Sequence, residues 1–89
     1  MAQIICEKAA DEKLKELNVD SWSSWGCEKS TFDWEYANTE QAYIQEGKVI
    51  VKTDSGDVEV KKGDLVTFPK GMKCTWDVLE PIQKVYRFI

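Results

Sequence analysis

The sixteen residues Gly63 to Val78, GDLVTFPKGMKCTWDV, constrain the chain more than any other stretch. Apolar residues run from Leu65 to Phe68, and Pro69-Lys70-Gly71 then reverses direction. Proline at the second position and glycine at the fourth predict a type I turn. Beyond it, Cys74, Trp76 and Val78 recur at every second residue, the period of a strand with one buried face. Two strands joined at a tight corner cannot bury their apolar faces alone, so the rest of the chain must supply a partner layer.

That layer is written in the same code. Phe32, Trp34 and Tyr36 alternate with Thr31, Asp33 and Glu35, predicting a half-buried strand over 28–37. Strands follow over 40–46, closed by a turn at Gly47, over 48–52, and around Val58 and Val60. A last strand covers 83–89. Asp54-Ser55-Gly56-Asp57 and Lys62-Gly63 are turn clusters. Short strands separated by turn residues at even spacing predict an all-β sandwich or barrel. Before them, Gln3 to Glu7 reads as a first strand. Asp11 to Asn18 reads as one short helix, capped by Asp11 or a neighbour and docked through Leu14 and Leu17. Trp22 and Trp25 read as a loop that anchors on the core or offers an aromatic platform. The expected organisation is one domain over residues 1–89, with 1–27 forming strand, helix and Trp loop and 28–89 the barrel core.

Composition removes whole classes of function. The 89 residues carry a net charge of −4 and a single arginine, Arg87. That argues against nucleic-acid binding, which rewards clustered cations. No apolar run approaches the roughly 20 residues of a membrane-spanning helix, and the start MAQIICEKAADEK lacks the pattern of a secretion signal. Cys6, Cys27 and Cys74 are too few and too scattered for a disulfide framework, which points to the cytoplasm or another reducing compartment. There is no histidine. Ser-His and Cys-His nucleophile pairs are therefore excluded, as is any imidazole metal ligand.

The spacing Gly63, five residues, Pro69-Lys70-Gly71, two residues, Cys74, three residues, Val78 resembles one of the two motifs of cupins, with cysteine in the place of histidine and valine in that of asparagine. Glu40 and Gly47 match the second half of the other motif. Counting back three residues puts Trp34 and Tyr36 where its two histidines stand, and a four-residue gap would put Asp33 and Glu35 there. Strand parity favours Trp34 and Tyr36 inward and the acidic pair in water. The match covers about residues 28 to 89, and the text is similar to small single-domain cupins related to ureidoglycine aminohydrolase. The resemblance implies a double-stranded β-helix, or jelly-roll barrel, with a pocket at one end, and often a homodimer.

Metal-using cupins generally hold Mn, Fe or a similar ion through histidines and a glutamate, so with Glu40 alone of that set the expectation is no metal cofactor. The resemblance converges Trp34, Tyr36, Glu40, Cys74 and Trp76 in the barrel mouth. There the Trp faces could stack on a planar or cationic molecule while Glu40 and the Tyr36 hydroxyl orient it. Glu40 among indoles would suit general acid–base work, and Cys74 is a candidate nucleophile with nothing cationic visible beside it. The same residues could instead fill the barrel. Three functions follow: a metal-free cupin that binds a small organic molecule, a ureidoglycine-aminohydrolase-like enzyme that releases ammonia with a divalent metal such as Mn, or a protein-interaction module.

Overall fold

Two long strands carry the architecture. The structure, a computed structural model, describes residues 3–89. Its elements in chain order are β1 (Ile5–Lys8), α1 (Asp11–Leu17), a single 3-10 turn (Val19–Ser21), β2 (Ser23–Cys27), β3 (Ser30–Glu35), β4 (Glu40–Thr53), β5 (Gly56–Lys61), β6 (Asp64–Phe68) and β7 (Lys73–Phe88). β4 and β7 pair antiparallel along almost their whole length. The first half of β4 also pairs with β6 and its second half with β5, while β7 pairs first with β3 and then with β2. β1 extends the sheet from β6.

The sheet is folded back on itself. Phe68 pairs across to Glu40 and from there to Phe88, twelve residues along β7 from Trp76. At about 3.3 Å per residue a flat sheet would separate those rows by about 40 Å. The Phe68 and Trp76 rings nevertheless lie 5.8 Å apart. Ala42, Ile44, Val49, Val51, Val60, Val66, Phe68, Trp76 and Val78 close the space between the two halves as the buried core. This is the expected jelly-roll barrel with one short helix.

The bend explains one departure from the sequence reading. Gly47 does not end a strand at a turn. It sits at φ +92° inside β4, where the pairing with β7 slips between Ile44 and Val49. An extra residue in one strand is a β-bulge, which sharpens twist and flips the inward parity. Inward residues are accordingly even before the bulge (Ala42, Ile44) and odd after it (Val49, Val51). The predicted break before residue 83 is also absent, because β7 runs through Pro81 opposite the bulge.

Three further readings are corrected. Met72 N–H donates to the Pro69 carbonyl at 3.3 Å, so the corner is Pro69-Lys70-Gly71-Met72. That places Gly71 third, at φ +85°, as a type II turn demands. The amide of Gly71 also donates to the Tyr36 carbonyl at 2.6 Å, tying the end of β3 to the turn. Asp11 does not cap α1: the N-cap is Ala10 without a side-chain bond, and Asp11 is the first helical residue, where its charge faces the helix's positive end. Leu14 and Leu17 are half-buried, and the fully covered residue nearby is Val19. The expected Trp loop is mostly strand, since Ser23–Cys27 pairs with Ile82–Tyr86. Trp22, just before it, lies against the Arg87 guanidinium at 4.9 Å and donates its indole N–H to the Leu17 carbonyl.

Candidate functional site

An aromatic-walled cavity of about 210 Å³ opens at one end of the fold. β3 supplies Phe32 and Trp34, with Tyr36 just beyond its end, and β2 supplies Trp25. β4 supplies Glu40, while Trp76, Lys84, Tyr86 and Phe88 come from β7. Strand pairing aligns these side chains: Phe32 lies opposite Trp76 and Trp25 opposite Lys84. The rings interlock, with Trp25 edge-on to Trp76 at 6.0 Å, Phe32 stacked on Trp76 at 6.1 Å, and Tyr36 stacked on Phe68 at 4.7 Å.

The charged centre of the site is a residue that the sequence reading passed over. Lys84 Nζ donates to Glu40 Oε2 at 2.7 Å, and both side chains are almost wholly buried. The ammonium also faces the rings of Trp76 at 4.8 Å, Trp25 at 5.1 Å and Tyr86 at 5.4 Å. Carboxylate on one side and ring quadrupoles on the others give a buried cation compensation from several directions. A signal for Lys84 was present: the inward series Cys74, Trp76, Val78 continues in even steps to Ile82, Lys84 and Tyr86 once β7 is taken as one strand.

Of the five expected site residues, Trp34, Tyr36, Glu40 and Trp76 line the cavity. Trp34 is at its rim rather than inside, half its surface exposed, because β3 is the outermost strand at that corner, with Tyr36 edge-on to the ring at 6.4 Å. Tyr36 is buried; its hydroxyl accepts from Trp76 Nε1 at 3.1 Å. Burial foremost, then the charge of Glu40, pushes the phenol well above its usual range, against the Trp76 hydrogen bond. Tyr36 therefore offers an O–H proton, not a phenolate. Cys74 is the residue not brought to the cavity. It is packed in the core with Sγ towards the Trp34 carbonyl at 3.7 Å, and burial pushes its thiol up. A thiol held protonated lacks the ionisation that a nucleophile needs. Asp33 and Glu35 are exposed, as parity requires.

The donor set does not fit a divalent metal. Trp34 has no lone pair to give, Tyr36 is held protonated, and Cys74 is turned away. Glu40 is engaged by an ammonium that would repel a second cation. Among the described residues no three His, Cys, Asp or Glu side chains are grouped to hold an ion. Likewise, no described helix is long and apolar enough to cross a membrane.

The comparisons place this jelly roll among the cupins. More narrowly, residues 14–86 match the EutQ-like cupin domain, and the chain belongs to that family. A DUF861 family protein from Thermotoga maritima is similar over nearly the whole length: 51% identity, TM-score 0.94, covering 98% of this chain and 100% of that one. The EutQ protein of Clostridium difficile shares the fold at 23% identity and TM-score 0.67, covering 93% of this chain and 64% of that one. A putative ethanolamine utilization protein Q from Salmonella typhimurium shares it at 18% identity and TM-score 0.62, with 96% and 68% covered. The comparison with curated proteins finds no match. The family match is compatible with the ureidoglycine-related branch suggested by the sequence and reaches the level of a small cupin.

Proposed function

We propose that this cupin binds a small, flat organic molecule in the cavity above the Glu40–Lys84 pair. The observation that carries this reading is the lining itself: seven aromatic side chains around about 210 Å³, with one ion pair as the polar floor. Small-molecule sites combine apolar walls with a few convergent polar groups in this way. The volume is ample, since apolar cavities of about 150 Å³ hold benzene. Three polar features remain to orient a guest: the Tyr36 hydroxyl proton, the second carboxylate oxygen of Glu40, and the remaining N–H bonds of Lys84. The cation-binding ring faces are already taken by Lys84, so the site favours a neutral or anionic guest over a cationic one. That narrows the ligand expected from sequence.

The test is two-dimensional NMR of the indole N–H groups during titration with flat aromatic amides, acids and carbonyl compounds. Saturable shifts at Trp25, Trp34 and Trp76, weakened several-fold by Trp34→Ala at the rim, support the reading. Unmoved indoles up to millimolar ligand refute it. Two further elements belong to the same proposal. Exposed Ile5, Phe88 and Ile89 favour a homodimer, which light scattering at micromolar concentration decides. The three unpaired thiols support a reducing compartment such as the cytoplasm.

A further inference from the structure

Lys84 is unusual among the lysines of this chain. It lines the cavity, it is buried, and a proton acceptor lies 2.7 Å from its Nζ. The lysines of the other ion pairs are far more exposed. From this geometry we infer that Lys84 is a carbonyl-reactive amine, forming an imine with small aromatic or unsaturated aldehydes that enter the aromatic cavity. The inference rests on the binding reading above and names the ligand class and the atom that would react.

Lysine is a recurrent nucleophile towards carbonyl groups when an apolar pocket strips it of water. The chemistry balances with the groups on hand. The ammonium passes one proton to Glu40, and the freed lone pair attacks the carbonyl carbon. The C–N bond forms as the carbonyl π pair moves to oxygen, which takes the proton back from Glu40. The carbinolamine then loses its hydroxyl as water, carrying away a second nitrogen proton. Lys84–NH3+ and an aldehyde become a Lys84 iminium and one water, with charge unchanged. No oxidant or reductant is consumed.

Because charge is conserved, whatever stabilises the ammonium also stabilises the product. Glu40 and the faces of Trp76, Trp25 and Tyr86 surround the nitrogen in both states. The Tyr36 hydroxyl lies among the same cavity walls as an O–H donor for the carbinolamine oxygen. The flat body of the aldehyde lies along the indoles.

The experiment uses the whole chain with benzaldehyde, followed by borohydride reduction and peptide mapping by mass spectrometry. Benzyl alcohol, of the same shape but without the carbonyl, reports occupancy alone through the indole N–H shifts. The expected result is a benzyl adduct at Lys84 at least about tenfold above the mean of the other lysines, the advantage of a held reactant over random encounter. Both compounds should move the indole signals. Lys84→Arg keeps a cation against Glu40 but has no amine for imine formation, so it should lose the adduct, with its indole shifts reporting whether the altered cavity still admits the two compounds. The wild-type map decides the matter should that variant not fold. Adducts scattered over exposed lysines with Lys84 unlabelled, while both compounds still shift the indoles, overturn the imine and leave the binding reading standing. No shift from either compound together with no Lys84 adduct overturns both.

Discussion

Replacing Lys84 by Met should be among the most damaging single changes available in this chain. The substitution removes the ammonium and leaves Glu40 without its charge partner, with only 6% of that side chain exposed. Removing one member of a buried pair costs about 3–5 kcal/mol, because the remaining charge stays desolvated. Met refills much of the apolar volume of the lysine stem, so the loss is mainly electrostatic. A chain of 89 residues has a total stability of about 4–13 kcal/mol. A loss near 4 kcal/mol would therefore take a large share of it and lower Tm by about 16–32 °C. Glu40→Gln should cost less, since its amide oxygen still accepts from Nζ. The double variant leaves neither charge behind, so it should cost less than the sum of the singles by about 2–3 kcal/mol. Urea melts of the four proteins at neutral pH, with constant slope as the check on two-state unfolding, measure that coupling. Additivity within about 0.5 kcal/mol would mean that the two groups do not act on one another, and the account of the site as built around its own cation would fall.

Other expectations test the frame around the site. Gly47→Ala should cost more than Gly71→Ala although both stand at positive φ. An added methyl at Gly71 meets open space and incurs only the left-handed penalty of about 1–2 kcal/mol. At Gly47 it would overlap the Pro81 carbonyl oxygen and lie 2.7 Å from Ile82 Cα, both backbone. Urea midpoints in the reverse order would discredit the bulge as the point where the sheet folds. Burial, then the charge of Asp64, pushes the Cys6 thiol up to about 11 from 9.0. Between those values the unfolded chain releases a proton that the folded chain keeps, so stability should fall as pH rises from 9 to 11. Cys6→Ser should make that slope shallower without abolishing it, because burial also raises Cys74 and Tyr36. Asp64→Asn should lower the Cys6 inflection, followed by thiolate absorbance, yet leave it above 9.0, because burial is the larger cause.

The strands were legible where one face of the sheet is dry and the other wet. Phe32 and Tyr36 against Asp33 and Glu35, or Cys74 and Trp76 against Thr75 and Asp77, announce their faces by polarity alone. The places where the reading failed share one physical cause: a long strand that bends without ending. Gly47 looks like a turn because glycine supplies positive φ for turns and bulges alike, and only the partner strand distinguishes them. Pro81 looks like a strand breaker, yet β7 passes through it opposite the bulge, where the ladder is already irregular. Splitting β7 there hid Lys84, since a lysine in a short terminal strand is assigned to water by default. Cys74 shows the converse. Its parity is inward, as expected, but inward on β7 includes both core and cavity, and local periodicity does not separate them. Trp34 has the right face as well, and only its place on an outermost strand leaves it half exposed.

The pocket's charge arrangement follows from this topology rather than from any one motif. Glu40 opens β4 and Lys84 lies near the end of β7, 44 residues away, and they meet because β4 and β7 pair antiparallel there: Glu40 lies opposite Phe88, Lys84 opposite Ile44, and the lysine stem reaches along the inward face to the carboxylate. A carboxylate at that depth requires a cation. A diffusible metal ion would need several donors of fixed geometry, which Trp34, Tyr36 and Cys74 do not provide. A lysine on the neighbouring strand needs only one oxygen and some ring faces, and its local concentration is set by the fold. Compensation of Glu40 is then independent of any metal in solution, and the cavity is left electrically neutral with aromatic walls. On the proposed function, a flat neutral or anionic guest would be selected by shape and by one or two hydrogen bonds, beside a basic nitrogen already held in place by Glu40.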